Sequence, residues 1–176
     1  FGVTPDLCTL GKAAAGGFPL AVVAGKDDIM SHMDPEAVSS DGFMPQVGTL
    51  SGNPIAAVAG LKTLEVLRRE GTYERLYITG QRTMDALQRL LDQAEIPARV
   101  MGNATFFDVY FTDSEVTDYR SILQADGSKL AQFNAALRSA GVIKGSPKFY
   151  VSTVHTEEDL SRTITAFETV IERLQD

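Results

Sequence analysis

The strongest constraint on this chain is the interleaving of two hydrophobic periods. Ile55, Val58, Leu61 and Leu64 recur every three residues. Met84, Leu87 and Leu91, then Leu130, Phe133 and Leu137, follow helical spacing too, and Leu160, Ile164, Phe167, Ile171 and Leu174 form the clearest run. Side chains three and four positions apart share one helix face, so each run predicts a helix with one apolar side. Between these runs lie strand-like segments at residues 5–10 (a short buried strand), 19–24 (closed by Gly25) and 99–111. In the last of these, Phe107, Val109 and Phe111 alternate with Phe106, Asp108 and Tyr110. Val142-Ile143 and residues 149–152 add short strands around a Gly145-Ser146-Pro147 turn. Such a mixture predicts an α/β chain.

Local signals set the boundaries. Asn53 suits a helix N-cap and Pro54 the first helical position. Gly71 breaks that helix, and a second covers residues 72–94. A third, residues 129–140, stops at Gly141. Thr156 and Asp159 form a capping-box-like pair before the last helix, where Glu157 and Glu158 complement the positive helix end. Residues 26–44 read as a helix stub and loop. The expected organisation is a piece of an α/β lobe over residues 1–69, a linking helix over 70–96, and a small α+β lobe over 97–176.

Composition narrows the function. With a net charge of −7 and no Lys/Arg run, neither nucleic acid nor an anionic membrane is expected as a partner. A phosphate-bearing small molecule stays compatible, because backbone N–H groups bind phosphate without net positive charge. Cys8 is the single cysteine, so no internal disulfide forms, which fits a reducing, cytoplasmic setting. No apolar run is long enough to span a bilayer, and no signal peptide is visible. The start at Phe1-Gly2-Val3 reads as an internal stretch of a longer protein.

Gly11-Lys12-Ala13-Ala14-Ala15-Gly16-Gly17-Phe18-Pro19 carries the most chemical information. It sets a lysine between a strand expected to be buried and a run of very small side chains. Burial lowers a lysine's pKa and makes its amine nucleophilic, while small neighbours let a flat cofactor approach; a Schiff-base lysine needs both. By itself, a Gly-Lys pair reads more simply as a surface lysine in a glycine-rich turn. A P-loop is excluded, since Asp6 and Ala13 stand where glycine and Ser/Thr are required. A second stretch, Gly48-Thr49-Leu50-Ser51-Gly52-Asn53-Pro54, leads into a helix. Free N–H groups there and the hydroxyls of Thr49 and Ser51 suit a phosphate, although capping by Asn53 alone also accounts for it.

Together, and in order, these stretches resemble the class III aminotransferase family, whose enzymes depend on pyridoxal 5′-phosphate (PLP). Val3-Thr4-Pro5-Asp6-Leu7 running to Gly11-Lys12, Gly16-Gly17 and Pro19 is similar to the family's PLP-lysine region. Gly48 to Pro54, Gly102 with Phe106-Phe107, Asp118-Tyr119, Phe133, Gly141-Val142 and Ser152-Thr153-Val154-His155-Thr156-Glu157-Glu158-Asp159 are similar to its glutamate-1-semialdehyde aminomutase-like branch. The resemblance implies fold type I, represented by the end of the large domain and the C-terminal small domain, and a homodimer with shared active sites. It implies that Lys12 carries PLP as a Schiff base and moves the substrate proton. It also implies that Thr49, with the Gly48 region, binds the PLP phosphate of the other subunit. The family's pyridine-facing aspartate, stacking aromatic and first phosphate-binding turn have no counterpart here, so these residues alone are expected to be inactive. Between Gly141-Val142 and His155 the chain is shorter than the aminomutase pattern, which favours an aminotransferase acting on an amino donor and a carbonyl acceptor. Glutamate-1-semialdehyde aminomutation is the alternative, and a non-catalytic interaction or structural module is the alternative of another class.

Of the remaining polar residues, His155 is expected to cap or pack, His32 to lie at the surface, and Cys8 to fill a small core site. Lys144 and Lys148 could meet a substrate carboxylate but read more simply as solvated lysines. No metal-ligand spacing is present.

Overall fold

The computed structural model describes residues 2–146 and 148–175. The chain divides into two compact units, Phe1–Glu70 and Gly71–Asp176.

In the first unit, β1 (Leu7–Leu10) and β2 (Val22–Gly25) pair antiparallel, with Leu7 opposite Gly25 and Leu10 opposite Val22. A 3-10 turn, Lys12–Ala15, joins them, and the short α1 (Asp27–Met30) follows. Helix α2 (Pro54–Leu67) starts as its sequence requires: Pro54 takes the first turn, and the Asn53 side chain accepts from the N–H groups of Ile55 and Ala56 at 3.0 and 3.4 Å. What α2 buries differs from expectation. Ile55, Val58, Leu61 and Leu64 are 45–67% exposed, whereas Ala56 and Gly60 are buried. The small side is the packed one because it meets the chain at van der Waals distance; a Cβ on Gly60 would lie 2.7 Å from the Leu20 side chain. Apolar on both sides, α2 has the pattern of a helix buried all round. β1 is likewise fully exposed rather than buried, and Cys8 upon it is exposed rather than a core side chain. The physical reason is the same in each case: no layer among the described residues of this unit packs over these faces.

The second unit has its own core. β3 (Arg99–Asn103), β4 (Phe106–Tyr110) and β5 (Phe149–Tyr150) form an antiparallel sheet in that order. The segment at 99–111 is therefore a hairpin, not one strand. Val142-Ile143 is not a strand, and the sheet-like pairing there is a single Gly145–Lys148 bridge; Pro147 of the expected turn lies outside the described residues. Helices α3 (Thr72–Gln93), α5 (Gly127–Ser139) and α6 (Glu157–Gln175) supply Leu87, Leu91, Phe133, Leu137, Phe167 and Val170, all fully buried; the short α4 (Tyr119–Ile122) precedes α5. Phe149 stacks on Phe107 at 5.0 Å and meets Phe167 edge-on at 5.8 Å, so sheet and α6 share one aromatic cluster. The segment expected to link two lobes is thus a core helix of this unit. α3 approaches the β3–β4 turn so closely that a Cβ on Gly80 would fall 1.7 Å from the Ala104 carbonyl oxygen. Gln88 on α3 also closes the β3 edge, accepting from Val100 N–H at 2.8 Å and donating to the Ala98 carbonyl at 3.2 Å. The expected capping pair forms: Asp159 accepts from the Thr156 N–H at 2.8 Å, and Thr156 Oγ1 accepts from the Asp159 N–H at 3.2 Å.

Candidate active site

Lys12 opens the 3-10 turn that follows β1. Gly11 before it is extended, the Ala14 N–H returns to the Gly11 carbonyl at 3.1 Å, and Gly16 and Gly17 leave the turn with φ of 58° and 101°. Ala15 is buried, and a Cβ on Gly16 would meet Thr63 Oγ1 at 3.4 Å, so the turn is seated on α2 through its small residues. Lys12 itself has φ of 52°. A non-glycine residue in the left-handed region costs about 1–3 kcal/mol and concentrates at functional sites. Glu95 also has a positive φ, 55°, but it follows the end of α3, where helix termination commonly requires that conformation. Lys12 stands at the start of its turn and has no such reason. Its side chain is exposed, so the burial expected from the sequence is not supplied by the described residues. Its amine has no hydrogen-bond or ion-pair partner among them, and the flanking alanines and glycines leave its approach open to a flat group.

Gly48 and Thr49 lie in the turns before α2. The Ser51 N–H donates to the Gly48 carbonyl at 3.0 Å, and a Cβ on Gly48 would lie 2.9 Å from Ser51 Oγ. Gln46 holds that hydroxyl at 3.2 Å. Since Asn53 already occupies the N–H groups of Ile55 and Ala56, the donors left for an anion belong to the loop rather than to the helix end. The Thr49 hydroxyl and N–H are among them, with no partner among the described residues. No hydrogen bond or ion pair joins Lys12 to Gly48 or Thr49 there.

The second unit holds a buried charge pair that the sequence reading missed. Lys144 Nζ donates to Asp108 Oδ1 at 2.6 Å, and the two side chains are 2% and 3% exposed. Lys144 is therefore not a solvated lysine, and Asp108 does not face water as strand alternation suggested; each covers the other. Burial pushes the Asp108 carboxyl above its ordinary range, against the opposing pull of Lys144. Tyr110 is raised by burial and by the nearby Asp108 charge. The available signal was an aspartate inside Phe-Phe-Asp-Val-Tyr and a lone lysine after Val-Ile, two charges in apolar surroundings that need each other. Lys148 places its amine 5.0 Å from the centre of the Phe106 ring. A cavity of about 350 Å³ lies alongside, walled by Thr79, Thr83, Lys144, Tyr150, His155 and Arg162 among others. His155 accepts the Ser152 N–H at 3.3 Å, a packing role, and His32 is tied to the Gly42 carbonyl at 2.7 Å. Among the described residues, no group of three or more His, Cys, Asp or Glu could hold a metal, and no helix is long and apolar enough to cross a membrane.

The family model described as aminotransferase class-III matches residues 1–171. The chain belongs to the class-III aminotransferase family. Among curated proteins it is 38% identical over 167 residues to a glutamate-1-semialdehyde 2,1-aminomutase of Natranaerobius thermophilus, and 36% identical over 171 residues to one of Desulfosudis oleivorans. These alignments cover 93% and 96% of the chain but only 38% and 39% of the relatives, so the chain spans about two fifths of their length. Among solved structures it resembles an omega-transaminase from Sphaerobacter thermophilus, with a TM-score of 0.90 at 27% identity, covering 99% of this chain and 40% of that one. A β-phenylalanine aminotransferase from Variovorax paradoxus, at a TM-score of 0.82 and 23% identity, shows the same fold. The fold is accordingly that of the α/β, fold type I PLP-dependent transferases.

Proposed function

We propose that these residues form the C-terminal part of a PLP-dependent aminotransferase. The first unit is read as the end of its cofactor-binding large domain, and the second as its small domain. The observation that carries this reading is Lys12: a strained, unpaired lysine at the head of an Ala/Gly turn, in a chain of this family. The residues fit the cofactor. Lys12 Nζ holds it covalently, and the open turn admits its flat ring. The Thr49 hydroxyl and N–H, with the Gly48 loop, hold its phosphate. When bound, PLP supplies an electron sink that stabilises negative charge on the substrate carbon bearing the amine. Lys12 Nζ takes the proton from that carbon and returns one, serving as base and then acid. Thr49 serves the neighbouring subunit, so the working form is a homodimer with shared sites; the exposed Ile55, Val58, Leu61 and Leu64 stripe supports burial of α2 in that larger assembly. The single free Cys8 is in keeping with a cytoplasmic setting.

A second reading, 2,1-amino migration on glutamate-1-semialdehyde, is favoured by the names of the curated relatives. The shortened stretch between Val142 and His155 favours transamination: a mutase must retain its intermediate, whereas a transaminase must release one product and admit another molecule. The experiment supplies the full-length enzyme first with glutamate-1-semialdehyde alone, then with amino donor and carbonyl acceptor pairs. Ping-pong turnover of a pair is expected. Rapid formation of 5-aminolevulinate with no turnover of any pair would establish the mutase instead.

A further inference from the structure

The buried pair of the second unit has no part in the chemistry proposed above. Asp108 lies on β4 and Lys144 in the segment between α5 and β5, 36 positions away. Besides the ammonium, Asp108 accepts the Val109 N–H at 2.9 Å, and the ammonium lies 4.8 Å from the centre of the Phe149 ring. Lys144 thus bridges two neighbouring strands from a segment that belongs to neither. That segment also walls the 350 Å³ cavity through Val142, Ile143, Lys144 and Gly145.

Its other ties among the described residues are few. The Val142 N–H donates to the Leu137 carbonyl at 2.9 Å, the Asn134 amide reaches the Ser146 carbonyl at 3.5 Å, and the Lys148 N–H reaches Gly145 at 3.2 Å. Ile143 is 86% exposed, so its apolar side chain does not anchor the segment. Burial of two charges largely cancels their attraction, so such a pair contributes little net stability compared with well-packed apolar residues. What it does impose is a choice of path. Any course of residues 142–146 that withdraws Lys144 leaves the Asp108 carboxylate buried and unpaired.

We propose that Asp108 and Lys144 form a conformational latch that selects one path for residues 142–146 and so fixes that wall of the cavity, without being what holds the core of the unit together. The test is amide hydrogen exchange on the full-length protein carrying both Asp108→Leu and Lys144→Met, which replace the pair with apolar side chains of similar size. Peptides from residues 142–146 should exchange at least roughly tenfold faster than in the wild type, while those from α3 and α6 keep wild-type protection. Wild-type exchange in residues 142–146 would overturn the proposal. So would loss of protection in α3 and α6, because the pair would then be holding the core. Lys144→Met alone should loosen the segment further than the double variant does, and if it unfolds while the double variant stays folded, the pairing is equally supported. Wild-type exchange in that single variant would refute the latch.

Discussion

Gly80→Ala should destabilise the second unit although alanine is the better helix former. Gly80 lies inside α3, where replacing glycine by alanine ordinarily gains about 1 kcal/mol. Here the new methyl would sit 1.7 Å from the Ala104 oxygen, 2.5 Å from its carbonyl carbon and 3.1 Å from its Cα. All three are backbone atoms of the β3–β4 turn, so no side chain can swing aside. Helix and hairpin must separate, and overpacking of that kind costs about 1–3 kcal/mol, occasionally more. Separation also strains the Gln88 bonds to Val100 and Ala98 and opens the core around Leu87 and Leu91. The net expectation is a loss of about 1–2 kcal/mol, the overpacking cost less the propensity gain. Gly127→Ala is the control: it opens α5, and nothing lies within 4 Å of the added methyl. It should leave stability unchanged or raise it by up to about 1 kcal/mol. Urea unfolding of the full-length protein, with hydrogen exchange resolving α3 and α5, reads both. A Gly80→Ala protein as stable as the wild type, with α3 protection unchanged, would refute the close approach on which the fold of this unit rests.

Two further outcomes concern the cofactor site. Thr49→Ala in the intact enzyme removes a hydrogen bond to a charged group, worth roughly 1.5–3 kcal/mol. PLP affinity should fall by about one to two orders of magnitude in a cofactor titration, and unchanged affinity would leave Thr49 as no more than a loop residue. The isolated 176-residue chain should bind PLP weakly and turn over no donor–acceptor pair; a yellow, active preparation of it would contradict the division of the site between this part and the rest of the enzyme.

The second unit was largely legible because its helices pack against partners close in the same stretch of chain. The spacing of Leu130, Phe133 and Leu137 and of Leu160, Phe167 and Ile171 marks the sides that are buried. The first unit was legible in its boundaries but not in its burial. Asn53-Pro54 fixes where α2 starts, whereas Ile55, Val58, Leu61 and Leu64 mark a face that nothing in this unit covers. Lys12 was found from its neighbours, while its left-handed backbone has no sequence signature, because glycine or asparagine would normally announce it. Asp108 and Lys144 escaped because each, read locally, is an ordinary charged residue. Only the topology brings β4 and the segment before β5 together.

Borohydride reduction of the full-length enzyme, followed by peptide mapping, tests the central claim most directly. Reduction makes the bond between PLP and its lysine permanent. The pyridoxyl group should be recovered on Lys12, in the peptide containing Gly11-Lys12-Ala13, and Lys12→Ala should abolish both the label and turnover while leaving the fold intact. Recovery of the label on Lys26, Lys62 or any other lysine, with Lys12 unmodified, would contradict the account.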